Sequence, residues 1–178
     1  VYSIQYITIA STGNSVNFGD NYVSTNENNA ACASPTRGVW GGAAGQSNVI
    51  QYVTIASTGN ATDFGNLTVG KANGGGASSA TRGVFGGNYS SSNSKVIDYI
   101  TIATTGNATD FGDLITVQYG NRGTSNSLRG IFNGGWNSSI LNNIEYITIA
   151  STGNATDFGD MTVTAMSRAA LSNSHGGL

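Results

Sequence analysis

Apolar and polar residues alternate over short stretches of this chain. Val96-Ile97-Asp98-Tyr99-Ile100-Thr101-Ile102-Ala103 puts Ile97, Tyr99, Thr101 and Ala103 on one face. Val96, Asp98, Ile100 and Ile102 fall on the other. That period of two predicts a strand. Thr-Gly-Asn follows, and Gly and Asn tolerate positive φ, so a tight turn is predicted there. The next strand is predicted over Ala108-Thr-Asp-Phe-Gly-Asp-Leu114. Gly83-Val84-Phe85-Gly86-Gly87 is a brief apolar run closed by glycines, and the Ala/Ser-rich stretch before it predicts a strand of small side chains. No apolar period of 3.6 extends over ten residues, so the predicted fold class is all-β.

The pattern recurs. Tyr6-Ile-Thr-Ile-Ala-Ser-Thr-Gly-Asn returns at Tyr52, Tyr99 and Tyr146, at spacings of 46, 47 and 47 residues. Twelve residues after each Tyr stands Phe18, Phe64, Phe111 or Phe158, always followed by Gly. Arg37-Gly-Val-Trp-Gly-Gly recurs as Arg82-Gly-Val-Phe-Gly-Gly and Arg129-Gly-Ile-Phe-Asn-Gly-Gly. Four strands per repeat, at a period near 47 residues, predict a β-propeller of four-stranded antiparallel blades. The whole of 1–178 is predicted as one repeat domain. The chain opens on the last two strands of a repeat, runs through three full repeats and ends on a first strand. Two arrangements follow: a four-bladed ring with one blade split between the termini, or a segment of a larger array. The ring would lack about nine residues of the split blade. The start at Val1 leads us to expect a processed product or a piece of something longer.

The order of features resembles a kelch repeat: Arg82, then Val84-Phe85-Gly86-Gly87, a variable loop, Asp98-Tyr99, and Phe111. It departs from kelch in having acid and Tyr adjacent and Phe as the outer aromatic. The string Tyr99-Ile-Thr-Ile-Ala-Thr-Thr-Gly-Asn-Ala-Thr-Asp-Phe-Gly-Asp-Leu114 is similar to repeats of virion and tail-fibre-like proteins of marine phages, notably cyanophages. That resemblance implies a structural or host-contacting role, on a virion or an extracellular or cell surface.

Composition narrows the classes. Gly, Ser, Thr and Asn make up about half the chain, and only 9% is charged. A helical bundle needs far more Ala, Leu, Glu, Lys and Arg. No apolar run is long enough for a membrane helix, so no membrane insertion is expected. A net charge of −2 without a basic cluster gives no reason to expect nucleic acid. One cysteine, Cys32, excludes an internal disulfide framework.

The chemistry-bearing residues point to scaffold. Asp63-Phe-Gly, Asp110-Phe-Gly and Asp157-Phe-Gly match the kinase magnesium motif in letters only, without its companions. Asp110 with Asp113, or Asp157 with Asp160, has ligands suited to Ca²⁺, but a turn explains the pairs as well. Cys32 reads as a small buried hydrophobe, and His175 has no triad around it. Arg37, Arg82 and Arg129 are expected to pair with acids of neighbouring strands or to face a central channel. Trp40 takes the Phe85 position and is expected in the core. Six Asn-x-Ser/Thr sequons, at Asn60, Asn66, Asn88, Asn107, Asn137 and Asn154, would be glycan candidates in a secreted eukaryotic chain. No catalytic residue, metal site or cofactor is predicted.

Variation concentrates in two loop sets. One is Ala43–Asn48, Asn88–Lys95 and Gly135–Asn143; the other is Asn21–Asn29, Val69–Gly76 and Val117–Gly123. Fixed strands with variable loops are the layout of a binding surface. Tyr89, Asn88, Trp136 and Asn137 in the first set, and Tyr22 and Tyr119 in the second, are the expected ligand contacts. Aromatic rings beside Asn and Ser suit a sugar. The expected function is a non-catalytic structural or binding module with a host glycan as ligand. Its partners would be other virion or surface proteins, itself included. The alternatives are a purely architectural decoration or filament subunit and, behind it, an extracellular propeller enzyme.

Overall fold

The computed structural model describes residues 3–23, 29–89 and 94–172. His175, Gly177 and Leu178 lie outside the described residues, as do parts of the Asn21–Asn29 and Asn88–Lys95 loops.

The described chain is all-β, as its alternation predicts. It opens with a hairpin of β1 (Ser3–Tyr6) and β2 (Val16–Asp20). Three four-stranded antiparallel sheets follow in order. The first contains β3 (Ala30–Ala33), β4 (Arg37–Gly41), β5 (Val49–Thr54) and β6 (Thr62–Asn66). The second contains β7 (Gly75–Ser78), β8 (Arg82–Asn88), β9 (Ser94–Thr101) and β10 (Thr109–Asp113). The third begins with β11 (Arg122–Ser125) and β12 (Arg129–Asn133). It is interrupted by a small hairpin, β13 (Trp136–Asn137) and β14 (Ser139–Ile140), and ends with β15 (Asn143–Thr148) and β16 (Thr156–Asp160). Within each sheet the strands pair in chain order, so each repeat is one sheet.

The sheets pack face to face, and the alternation decides which side chain goes where. Ile97 and Val84 join Phe132, Ile147 and Ile149 of the third sheet. Phe85, Ile100 and Ile102 point the other way, onto Val39, Ile50, Phe64 and Leu67 of the first. A sheet buried on both faces accounts for strands that are apolar on both. Each Tyr meets its own Phe edge to face, as with Tyr99 and Phe111 at 5.9 Å.

The outer strand is not regular. Asp110 pairs with Asp98 and Gly112 with Ile97, which leaves Phe111 as the extra residue of a β-bulge. Asp110 Oδ1 accepts the Gly112 N–H at 2.9 Å, and Gly112 sits at φ +140°. Asp63-Phe-Gly and Asp157-Phe-Gly repeat this hydrogen bond. Asp-Phe-Gly is therefore a bulge motif that turns Phe111 into the core.

Neighbouring sheets are joined through backbone at both margins. At the inner margin Ser78 Oγ accepts the Ala33 N–H and donates to the Ala33 carbonyl. Ser125 does the same to Ser78. Gly76 permits this approach, since a Cβ there would lie 2.0 Å from the Ala31 carbonyl oxygen. Ala31, Ser78, Ser125 and Ser172, one from each of four successive repeats, line a common groove of about 970 Å³. At the outer margin Gly106 N–H donates to Phe64 O, Ala108 N–H donates to Asn66 O, and Asn66 N–H donates to Asn107 Oδ1. The same three bonds join Phe18 and Asp20 to Gly59, Asn60 and Ala61. They also join Phe111 and Asp113 to Gly153, Asn154 and Ala155. Three of the sequon asparagines thus cap a neighbouring strand.

Candidate functional site

Among the described residues the repeated arginines pair with no acid. Arg37 lies over Tyr52 at 4.5 Å and donates to the Ile102 carbonyl at 2.7 Å. Arg82 lies over Tyr99 and donates to the Ile149 carbonyl at 2.8 Å. Each ties its own sheet to the next one. Arg129 keeps the ring contact, over Tyr146 at 4.6 Å, and has no carbonyl acceptor among the described residues.

The residue preceding Tyr52, Tyr99 and Tyr146 is also structural. Gln51, Asp98 and Glu145 are buried and hold the start of the loop that leaves the previous outer strand. Gln51 Oε1 accepts the Tyr22 N–H at 2.7 Å. Asp98 Oδ1 accepts from the Thr68 hydroxyl and N–H. Glu145 takes the N–H groups of Ile115 and Thr116. Asp98 alone adds an ion pair, with buried Lys71 at 3.3 Å. Desolvation by burial lowers the Lys71 ammonium from its ordinary value, against the opposing pull of Asp98. Asp113 stands 3.5 Å from Lys95 Nζ. Cys32, expected to be buried, is half-buried against the core shared by the first two sheets, and burial pushes its thiol up to about 12. Trp40 departs from expectation. It is only half-buried, because the first sheet has just the β1–β2 hairpin before it, whereas Phe85 is covered by a full sheet.

Three of the expected ligand residues come together. Tyr89, Tyr119 and Trp136 leave different loops and form one row of rings. Tyr89 and Tyr119 are 4.7 Å apart between centroids, and Tyr119 and Trp136 are 5.3 Å apart. Backbone holds the row in place: the Trp136 N–H donates to the Tyr119 carbonyl and the Tyr119 N–H to the Trp136 carbonyl. The Tyr89 N–H donates to Ala72 O. Tyr89 is 48% exposed, so the row is open at that end. Asn137 sits beside Trp136 in the β13–β14 hairpin, whose turn residue Ser138 has φ +61°.

The other two expected contacts are elsewhere. Tyr22 is exposed on the loop after β2 and has no ring partner among the described residues. Asn88 is buried. Its Nδ2 donates to Gly70 O and its Oδ1 accepts the Ala72 N–H, so both polar atoms serve the backbone. Gln118 and Asn121, on either side of Tyr119 and Gly120 in the chain, are buried and were not singled out by sequence reading. Asn143 Nδ2 donates to Gln118 Oε1 and Glu145 Oε1, and Asn121 Nδ2 donates to Gly86 O. These polar side chains look like ordinary loop residues in the sequence, and nothing there marks them as buried.

The fold and the ring row define an all-β repeat protein with an aromatic shelf built from its variable loops. Neither a protein-family model nor a curated protein sequence matches the chain.

Proposed function

We propose that this protein is a non-catalytic structural and binding module of a phage virion or cell surface, and that the Tyr89–Tyr119–Trp136 shelf takes a glycan. The three rings, gathered from three variable loops onto a fixed scaffold, carry this reading. Stacking on the C–H face of a sugar needs an exposed ring, which Tyr89 offers, and Asn137 beside Trp136 supplies a donor and an acceptor for hydroxyls. The paired backbone bonds between Tyr119 and Trp136 hold two of the rings before ligand arrives, which lowers the ordering cost of binding. In the same reading the sheets are propeller blades around the groove lined by their inner strands. The similarity of the repeat string to tail-fibre-like proteins supports the surface location.

The test is a glycan array followed by titration of any hit, monitored by isothermal calorimetry. Trp136→Ala and Tyr89→Ala should each abolish binding while Tyr22→Ala leaves it intact. Binding that survives both shelf variants would defeat the shelf, and an array without hits would favour the architectural reading. That second reading has its own support in the two end surfaces of the sheet stack.

A further inference from the structure

The joins between the three full sheets use the same parts, and the two ends of the stack each display half of them. On the third sheet Phe158 is 51% exposed, whereas Phe64 and Phe111 are 3% exposed. A Cβ on Gly65 or Gly112 would strike the carbonyl of Gly106 or Gly153 at 2.3–2.5 Å, yet the space at Gly159 is open. At the other end Ile9 is 96% exposed; at the same repeat position Ile55, preceded only by the hairpin, is 48% exposed, and Ile102 and Ile149, each preceded by a full sheet, are 1% exposed. Asn14 stands where Asn60, Asn107 and Asn154 cap a neighbouring strand.

We propose that the third-sheet face receives the β1–β2 hairpin of a second copy of this chain, head to tail. The four bonds are given by those already seen between sheets. Gly13 N–H would donate to Phe158 O, Ser15 N–H to Asp160 O, Asp160 N–H to Asn14 Oδ1, and Arg129 to the Ile9 carbonyl. The same contact buries Ile9 and Phe158. Segment 165–172 already continues the inner margin, since Ser172 Oγ donates to Ser125 O at 2.5 Å. The incoming hairpin would share a sheet with that segment. The chain's own hairpin does not fill the place: the exposure of Ile9 and Phe158 shows the two ends standing apart. A join between unlike surfaces is heterologous, so it propagates into a ring or a filament. It is independent of the aromatic shelf, and its test involves no sugar.

The experiment is sedimentation of the 178-residue chain over a range of concentrations. Wild type should associate as concentration rises. Ile9→Asp and Phe158→Asp each spoil one end only; Ile9 is free of packing and Phe158 gives up only its edge contact with Tyr146, so each, once shown folded by circular dichroism, should stay monomeric. Mixed together, the two variants should form a dimer and nothing larger, because one good end of each kind remains. A monomeric wild type, or association indifferent to both variants, would overturn the proposal. So would a disulfide between Asn14→Cys and Asp160→Cys that forms within one chain rather than between two.

Discussion

The guanidinium of Arg82 donates a 2.8 Å hydrogen bond to the carbonyl of Ile149, a residue of the following sheet. The same guanidinium lies over the Tyr99 ring of its own sheet at 4.5 Å. One side chain thus joins two repeats, with its charge directed at a backbone dipole. Arg82→Ala should cost about 1.5–3 kcal/mol for the charged hydrogen bond, with about 0.5–1 more for the ring contact. Arg129→Ala loses only a ring contact at an exposed position and should cost below about 1 kcal/mol. Urea denaturation of both variants checks this. Equal losses would mean that the inter-sheet bond adds nothing.

Glycine at the inner margin is a steric requirement. Gly76 has no positive φ, but a Cβ there would lie 2.0 Å from Ala31 O. Gly76→Ala should therefore push the first two sheets apart and cost about 1–3 kcal/mol or more. Gly13→Ala meets open space and should change stability by less than about 1 kcal/mol. Thermal unfolding of the pair separates close packing from a general intolerance of substitution.

These two cases show where sequence reading reached and where it stopped. Alternation in Val96–Ala103 predicted the two faces of β9, and Ile97 and Ile100 do pack on opposite neighbours. The repeat predicted one sheet per 47 residues. The arginine contacts were not legible, because their acceptors are carbonyls and every residue has one. The bulge at Phe111 was hidden for a related reason: Asp-Phe-Gly fits a regular strand as well as an interrupted one. Asn88 and Tyr89 are adjacent in a polar loop, yet one is buried and the other open. Pattern cannot separate them where a loop is irregular. The ring row itself depends on three loops meeting, which no single loop announces.

The thiol of Cys32 gives a chemical probe of the packing between the first and second sheets. Its pKa is raised from 9.0 to about 12 by burial, so little of it is thiolate at pH 8 even though the residue is half-buried. Labelling by a thiol reagent should be slow in the native protein and fast once urea unfolds it. Fast native labelling would place Cys32 in water.

The buried ion pair of Lys71 and Asp98 should leave a signature in the pH dependence of stability. Burial depresses the Lys71 value below the ordinary 10.5. Below the folded value both folded and unfolded chains hold the proton. Between it and 10.5 the unfolded chain holds more, so stability rises with pH across that interval, by at most about 1.36 kcal/mol per pH unit. Asp98 opposes the shift by favouring the ammonium form. Asp98→Asn keeps an acceptor for Thr68 but removes that hold, so the Lys71 value falls further and the interval widens downward. The variant should lose about 3–5 kcal/mol at neutral pH, the cost of a buried charge without its partner. It should then regain part of that loss as pH rises, starting at a lower pH than the parent. Urea denaturation of parent and variant from neutral pH up to 10.5 measures both curves. If the gap between them stays constant across the range, Lys71 does not titrate there and the pair stabilises only through its contacts with Thr68 and Val96.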